Sequence, residues 1–239
     1  NGSKTFITNG VYGDFIVTVV KTDPAARSKG ISLLVIDLDS PGITKTKIDK
    51  LGWRSSDTAE LSFDNVVVPS ENLVGEEGKG FYYLMNGLQL ERLCFMPSSI
   101  ATMEFAISES LSYMNERKAF GKSINKLQVL RHRIAQLSSE IEALKVFSYY
   151  CCNLFDKNIY DVKLCSMGKL LCTELHEKVS TQCLQFFGGN GYTEDYPMAR
   201  MYRDSRVGTI GGGTSEIMRE IIAKIIIDGK DYEAEKNKI

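Results

Sequence analysis

"GEEGKGFYYLMNGLQLERLCFM", residues 75–96, is where the chain changes its period. Before it, apolar residues come in short runs bounded by turns. From Phe81 onward they recur every three or four positions, the spacing of one helix face. Phe81, Leu84, Leu88, Glu91 and Phe95 fall on one such stripe. The change divides the chain into a β part and a helical part, and it leaves a carboxylate, Glu91, in a row of apolar side chains.

Upstream, "KTFITN", "DFIVTVVKT", "GISLLVIDL", "ITKTKIDK" and "TAELSFDNVVVP" are short runs rich in Ile, Val, Thr and Phe, separated by "NGVYGD", "DPAARSKG" and "DSPG". Such spacing predicts an antiparallel sandwich or a piece of a barrel. Downstream, helical periodicity predicts helices near 78–116, 126–156, 161–188, 196–206 and 214–229, with short breaks rich in Gly, Pro or Asn. The fold class expected is therefore α+β: a partial antiparallel β domain over 1–70, then an antiparallel helical bundle over 71–239.

Of the 239 residues, 43% are hydrophobic and 25% charged, and the formal net charge is −1. That composition fits an ordinary globular chain and implies no bulk attraction to nucleic acid. No apolar run approaches the roughly 18 residues of a membrane span. The six cysteines form no C-x-x-C pair and read as reduced core thiols, and neither His132 nor His176 sits in a metal-ligand cluster. The opening "NGSKTFITNG" has no initiator Met and starts directly on a strand-like run, so an upstream portion is expected to be missing.

Four segments carry candidate chemistry. A glutamate held out of water has its proton affinity raised above the ordinary value of about 4.3, which suits it to remove a proton from carbon. Glu91 fits that description, and fits equally a core ion pair with Arg92 or another helix. The glycine clusters "QFFGGNGY" (185–192) and "TIGGGTSEI" (209–217) bring bare backbone to helix ends, the second with Thr214 as N-cap. They read either as sites for phosphate and other polar ligand atoms or as plain helix-terminating turns. In "NERKAFGKSINKLQ" (115–128), Arg117, Lys118 and Lys122 surround Phe120 and Gly121. A nucleotide diphosphate suits that set, as does simple surface charge at a helix C-terminus.

In this order the segments resemble the acyl-CoA dehydrogenase family of flavoproteins. "NGSKTFITNG" is similar to the family's middle-domain strand, whose aromatic-Ile-Thr/Ser triplet packs on the flavin. "GEEGKGFYYLMNGLQLER" resembles the approach to its first carboxy-terminal helix. "ERKAFGKSINKLQ" looks like its R-x-x-F-G-x…Q flavin segment. "QCLQFFGGNGYTEDYPMARMYRDSR" and "TIGGGTSEIMREIIA" resemble its two carboxy-terminal signatures. The resemblance covers essentially the whole chain.

The resemblance implies FAD as cofactor. Phe6, Ile7 and Thr8 would lie beside the isoalloxazine, with Phe6 in place of the more usual tryptophan. Arg117, Phe120 and Gln128, with Gln185, Phe186, Phe187, Gly188 and Gly189, would hold the pyrophosphate and adenosine, typically those of a neighbouring subunit. A homo-oligomer, tetramer or dimer, is therefore implied. Thr214, Ser215 and Glu216 would contact FAD at the last helix, and Tyr82, Gln89, Leu90 and Arg92 would line the acyl-CoA path. Many members carry the catalytic glutamate just before the Gly-Thr of the last signature; here that residue is Gly212. The long-chain and isovaleryl-type branch has glycine there and places the base on the helix in an L-x-x-E-R pattern, which "LQLER" matches with Glu91.

The implied reaction is α,β-dehydrogenation of an acyl-CoA, with Glu91 taking the α-proton and the β-hydrogen leaving as hydride to flavin N5. Gly212 and Gly213 are the backbone candidates for the thioester carbonyl, and an electron-transfer flavoprotein is the implied acceptor. The family's amino-terminal helical domain and its T/S-E-P-x-x-G-S-D-like β segment have no counterpart here. The chain is thus expected to be the carboxy-terminal part of a longer enzyme, cytoplasmic if bacterial and of the mitochondrial matrix if eukaryotic. A dehydrogenase of carrier-protein-bound acyl groups and a non-catalytic scaffold of the same fold are the rival readings.

Overall fold

The computed structural model describes residues 1–232. The chain forms two compact units, Asn1–Gly87 and Leu88–Ile239, each described here by itself.

In the first unit, five strands follow the predicted runs: β1 (Gly2–Thr8), β2 (Phe15–Lys21), β3 (Ile31–Asp37), β4 (Ile43–Lys47) and β5 (Thr58–Phe63). They form a three-stranded sheet ordered β1-β5-β4 and a two-stranded sheet of β2 and β3. Every pairing is antiparallel. In β5, Ala59, Leu61 and Phe63 point inward while Glu60 and Ser62 face out, the period-two signature of a strand with one buried face. Those three residues pack with Ile36 and Leu38 at the core of this unit. Asp57 is buried and accepts the Val11 amide at 2.6 Å, pinning the β1–β2 turn to the start of β5. The sequence pattern extends the final strand through "VVVP", but pairing ends at Phe63, Asn65 turns the backbone left-handed (φ 51°), and Val67 is 88% exposed.

Five α-helices lie close to the predicted spans: α1 (Gly80–Glu116), α2 (Gln128–Asp156), α3 (Val162–Phe187), α4 (Pro197–Ser205) and α5 (Ser215–Ile226). Asp161 caps α3 through the Leu164 amide, and Thr214 caps α5 through that of Ile217. Each cap satisfies a donor that the first turn leaves open. The core of the second unit runs along α1 through Leu93, Met96, Ile100, Met103, Ile107 and Met114, against Leu137 and Ile141 of α2 and Cys172, Val179, Cys183 and Phe187 of α3. Gly168 lets α1 and α3 approach: a Cβ there would stand 2.0 Å from the Met96 sulfur.

Two expectations are corrected. Phe81, Leu84, Leu88, Glu91 and Phe95 are not the buried stripe of α1; the inward series is Gln89, Arg92, Leu93, Met96, Ile100 and Met103, and Glu91 faces outward. The first turns of α1 carry apolar residues on most sides, so two stripes satisfy helical spacing and packing chooses between them. Between α1 and α2, the chain also makes an unpredicted two-residue hairpin, β6 (Lys118–Ala119) with β7 (Lys122–Ser123). Of the six cysteines, four are buried, Cys152 is half-buried and Cys94 is exposed; all are free thiols.

Candidate functional site

Candidate residues of the first unit lie on β1 and at the start of α1. Pairing of β1 with β5 slips between Lys4 and Ile7, a β-bulge, and Phe6 sits in it with φ 61° and 76% of its surface exposed. A bulge re-aims a side chain, and a left-handed conformation costs a bulky residue about 1–2 kcal/mol. Phe6 is thus presented, uncovered, on an edge strand at a conformational cost. Ile7 packs partly into the β core, Thr8 is exposed, and Tyr82 is half-buried with its ring edge-on to Phe81 at 6.0 Å.

In the second unit, the α1 segment Gln89–Arg92 meets the glycine turn before α5. Arg92 is 6% exposed, and its Nε donates to the Gly212 carbonyl at 3.4 Å. Burial holds the guanidinium below its ordinary proton affinity, partly offset by Cys165 and by neighbouring Glu91. Lys169 on α3 has no exposed surface, donates to the Gly213 carbonyl at 2.6 Å and lies 5.5 Å from the Phe95 ring centre. Burial, with Arg92 nearby, pushes its amine down to about 8. Gly212 and Gly213 both have positive φ, 65° and 102°. Neither amide has an acceptor among the described residues, whereas the Gly211 amide donates to the Val207 carbonyl at 2.7 Å.

Two buried polar atoms in this region also lack partners among the described residues: Gln89 Oε1 and Ser215 Oγ. A buried polar group without a hydrogen bond costs roughly 1–3 kcal/mol, so each marks a place where a ligand atom would be favourable. Thr214 spends its hydroxyl on the α5 cap, Glu216 is exposed in the first turn of α5, and Leu90 is 44% exposed. Glu91 is exposed as well, so the expectation that the chain's own packing keeps it out of water is overturned. It lies on the outward side of α1, one residue from the Arg92 that grips the glycine turn.

A second cluster forms where α1 and α3 end. The Tyr113 ring stacks on Phe187 at 4.2 Å, its hydroxyl donates to the Phe187 carbonyl at 3.3 Å, and Asn190 Nδ2 donates back to it at 3.0 Å. This links the Arg117–Gln128 segment to the Gly188–Gly189 turn. Arg117, Phe120, Gln128 and Gln185 are all exposed around it. Phe120 heads the hairpin with φ 53° and is 91% exposed. A Cβ on Gly188 or Gly189 would meet nothing, so bare backbone faces open space there. The Phe186 and Phe187 side chains are buried in the helical core, at 6% and 3% exposure, which leaves their backbone for a ligand. Gln128 also lines a groove of about 490 Å³ between α2 and α3 with His132, Arg133 and Lys178.

Lys169 and Phe187 are 18 residues apart on α3. At 1.5 Å per residue the two clusters lie about 27 Å apart along one helix. Sequence reasoning missed Lys169, Phe95, Tyr113 and Asn190. Lys169 alone had a signal, a cation at helical spacing between Cys165 and Cys172. Among the described residues no group of three His, Cys, Asp or Glu side chains is placed to hold a metal, and no helix is long and apolar enough to cross a membrane.

Comparison with known proteins accounts for both units. Residues 1–66 match the family model for the acyl-CoA dehydrogenase middle domain, and residues 78–227 that for the C-terminal domain. The rat long-chain specific acyl-CoA dehydrogenase, a mitochondrial protein, is 43% identical over 230 residues, covering 95% of this chain and 54% of its own length. The mitochondrial isovaleryl-CoA dehydrogenase of Oryza sativa subsp. japonica is 40% identical over 225 residues, 94% of this chain and 55% of its length. The crystal structure of an acyl-CoA dehydrogenase from Geobacillus kaustophilus superposes with a TM-score of 0.92 at 43% identity, covering 95% of this chain and 60% of that one. The chain spans about half the length of these curated relatives, and it belongs to the acyl-CoA dehydrogenase family.

Proposed function

We propose that the protein of which these residues form part is a FAD-dependent acyl-CoA dehydrogenase that converts an acyl-CoA to the trans-2-enoyl-CoA, with Glu91 as the base for the α-proton. The observation that carries this reading is the meeting of α1 with the glycine turn. The "LQLER" helix and the "GGGTSE" turn are 120 residues apart in sequence between Arg92 and Gly212, and Arg92 joins them directly. Arg92, next to Glu91 on α1, thus bonds the turn residue at which much of the family places its base, and of the two positions only the helix one carries a carboxylate.

The residues present fit the cofactor. Among the described residues, Phe6 offers an uncovered aromatic face, Ser215 a buried hydroxyl without a partner, and the Gly188–Gly189 turn open space where side chains would stand. FAD bound here would accept the β-hydrogen as hydride and pass its electrons to an electron-transfer flavoprotein. The chain's own work is to bind, orient and move one proton. Glu91 takes the proton from the carbon next to the thioester carbonyl. The Gly212 and Gly213 amides donate to the carbonyl oxygen as negative charge develops on it, where preorganised donors act most strongly. Gln89, with its free Oε1, contributes an acceptor to the acyl path.

Because Glu91 is exposed in the chain, the dry surroundings a carbon-acid base needs would have to come from groups other than the described residues. The 27 Å between the two clusters supports an oligomer: Arg117, Phe120, Gln128 and Gln185, gathered where α1 and α3 end, are too far from Lys169 and Gly212 to serve the same site. We assign them to the flavin of a neighbouring subunit.

The test is anaerobic bleaching of the flavin-loaded protein by straight and branched acyl-CoAs. Glu91→Gln is expected to slow bleaching by about 10²–10⁴-fold, the range for losing a general base, with flavin content unchanged. Equal rates in both proteins would remove Glu91 from its role. Bleaching by carrier-bound acyl groups but not by CoA thioesters would move the reading to the carrier-protein branch, and a protein that takes up no FAD would leave the scaffold reading.

A further inference from the structure

The glycine turn is held by two buried cations from different helices, and neither makes an ion pair with a carboxylate among the described residues. Arg92 of α1 grips the Gly212 carbonyl, and Lys169 of α3 grips that of Gly213. A fully buried ammonium bonded to a neutral carbonyl is a poor way to stabilise a fold, because desolvation of the charge outweighs the bond. Its consequence for geometry is more definite. In a trans peptide, the carbonyl of one residue and the N–H of the next point in opposite directions. Drawing the Gly212 carbonyl toward Arg92 turns the Gly213 amide away from it, and drawing the Gly213 carbonyl toward Lys169 does the same to the Thr214 amide. Upstream, the bond from Gly211 to Val207 fixes the other side of the turn.

Without those cations, two consecutive glycines with positive φ have little to prevent their peptides from turning over, since glycine populates both signs of φ about equally. We propose that Lys169, acting with Arg92, is a positioning residue: the two cations fix the peptides on either side of Gly213, so that the Gly213 amide stays presented to the carbonyl oxygen of an acyl thioester. The inference rests on the dehydrogenase reading above and adds to it the device that keeps that donor aimed.

Acetoacetyl-CoA separates the two. Its α-carbon lies between two carbonyls and ionises without dehydrogenation, so the enolate absorbance of the bound ligand reports carbonyl stabilisation alone. In the flavin-loaded protein, Lys169→Met is expected to reduce the enolate fraction by about tenfold or more, a loss of the order seen when a donor to an oxyanion is removed or misaligned. Binding of CoA alone should be unchanged. Equal ionisation in both proteins overturns the clamp, as does a parallel loss of CoA binding, which would mark Lys169 as merely structural. A wild-type protein that binds acetoacetyl-CoA without ionising it overturns the dehydrogenase reading, and this inference with it.

Should Lys169→Met fail to fold, a chain that keeps Lys169 provides the measurement. The ¹³C resonance of the Gly213 carbonyl should shift with pH about a midpoint near 8 as the amine bonded to it loses its proton. Arg92 from α1, Cys165 one turn earlier on α3, Glu174 on α3 and Arg219 from α5, which pairs with Glu174, are the groups around it. The arginines and the glutamate are residue types that do not titrate between about pH 7 and about 9.5, and the measurement is made in Cys165→Ser to remove the one thiol among them that could. A flat response over that range overturns the proposal.

Discussion

The Phe95 ring lies across the space in which a side chain on Gly212 would begin: a Cβ there would stand 2.8 Å from Cε2 of the ring. The backbone at Gly212 is also left-handed, with φ 65°. The turn position that holds the base in much of the family is therefore closed here, sterically and conformationally. Moving the carboxylate, as Glu91→Gln/Gly212→Glu, is expected to leave flavin bleaching at least about tenfold below wild type, since a misplacement of about 1 Å alone costs on the order of 10²-fold. Gly212→Glu by itself should lower stability by about 2 kcal/mol, from the strained φ and the displaced ring. Bleaching and a urea midpoint check the two halves; recovery to the wild-type rate would show the position to be open.

A second expectation concerns acid. His176 on α3 has its Nε2 buried without a partner among the described residues, and burial pushes its proton affinity down to about 4, with Asp204 opposing only in part. In the unfolded chain it titrates near 6.5. Between those values the unfolded state binds a proton that the folded state refuses, so stability falls as pH falls from 6.5 toward 4. At about 1.4 kcal/mol per unit, the loss over the window is about 3 kcal/mol. The thermal midpoint should fall correspondingly, and His176→Gln should flatten that part of the profile. An unchanged profile in the variant would place the acid sensitivity elsewhere.

The helices and strands were readable because local pattern sets them. Thr214 and Asp161 mark their helix starts, and β5 alternates cleanly. The face of α1 was not readable. In "FYYLMNGLQLERL" apolar residues point in most directions, and only contact with Gly168 and its neighbours on α3 decides that Gln89, Arg92 and Met96 go inward. The same ambiguity put Glu91 in an apolar row that packing does not bury. Pattern raises Glu91 only as an oddity, and its reading as the base rests on the resemblance. Lys169 shows the converse. A lysine between cysteines at helical spacing is as odd as a glutamate among leucines, yet its partner is a backbone carbonyl 44 residues away, which no local pattern announces.

Close approach of α1 and α3 supports a third expectation. Gly168 faces Met96, which has no exposed surface, so Gly168→Ala places a methyl against a sulfur that has little room to move. Helix propensity favours alanine over glycine by about 1 kcal/mol, and overpacking opposes it by about 1–3 kcal/mol. The expected net result is destabilisation, read as a lower urea midpoint with unchanged slope. Gly168→Ala/Met96→Ala should recover much of it if the clash is the cause. A single variant more stable than wild type would show that the helices adjust freely.

Phe120 carries the last. It stands at the first position of the two-residue turn between β6 and β7, with φ 53° beside Gly121 at φ 78°, and it is 91% exposed. Such turns favour Asn-Gly, and an aromatic at the first position is strained while burying almost nothing. If the ring serves only the chain, replacing it is harmless; if it is held out for the adenosine end of a neighbouring subunit's FAD, replacing it separates stability from cofactor binding. Phe120→Asn is expected to raise the stability of the chain by about 0.5–1 kcal/mol through relief of the left-handed strain. The same change should weaken FAD retention several-fold, because a stacking face is lost. Unfolding without cofactor measures the first effect and flavin content after dialysis the second. Equal retention by both proteins would remove Phe120 from the flavin site, leaving the strained hairpin as a feature with no ligand to account for it.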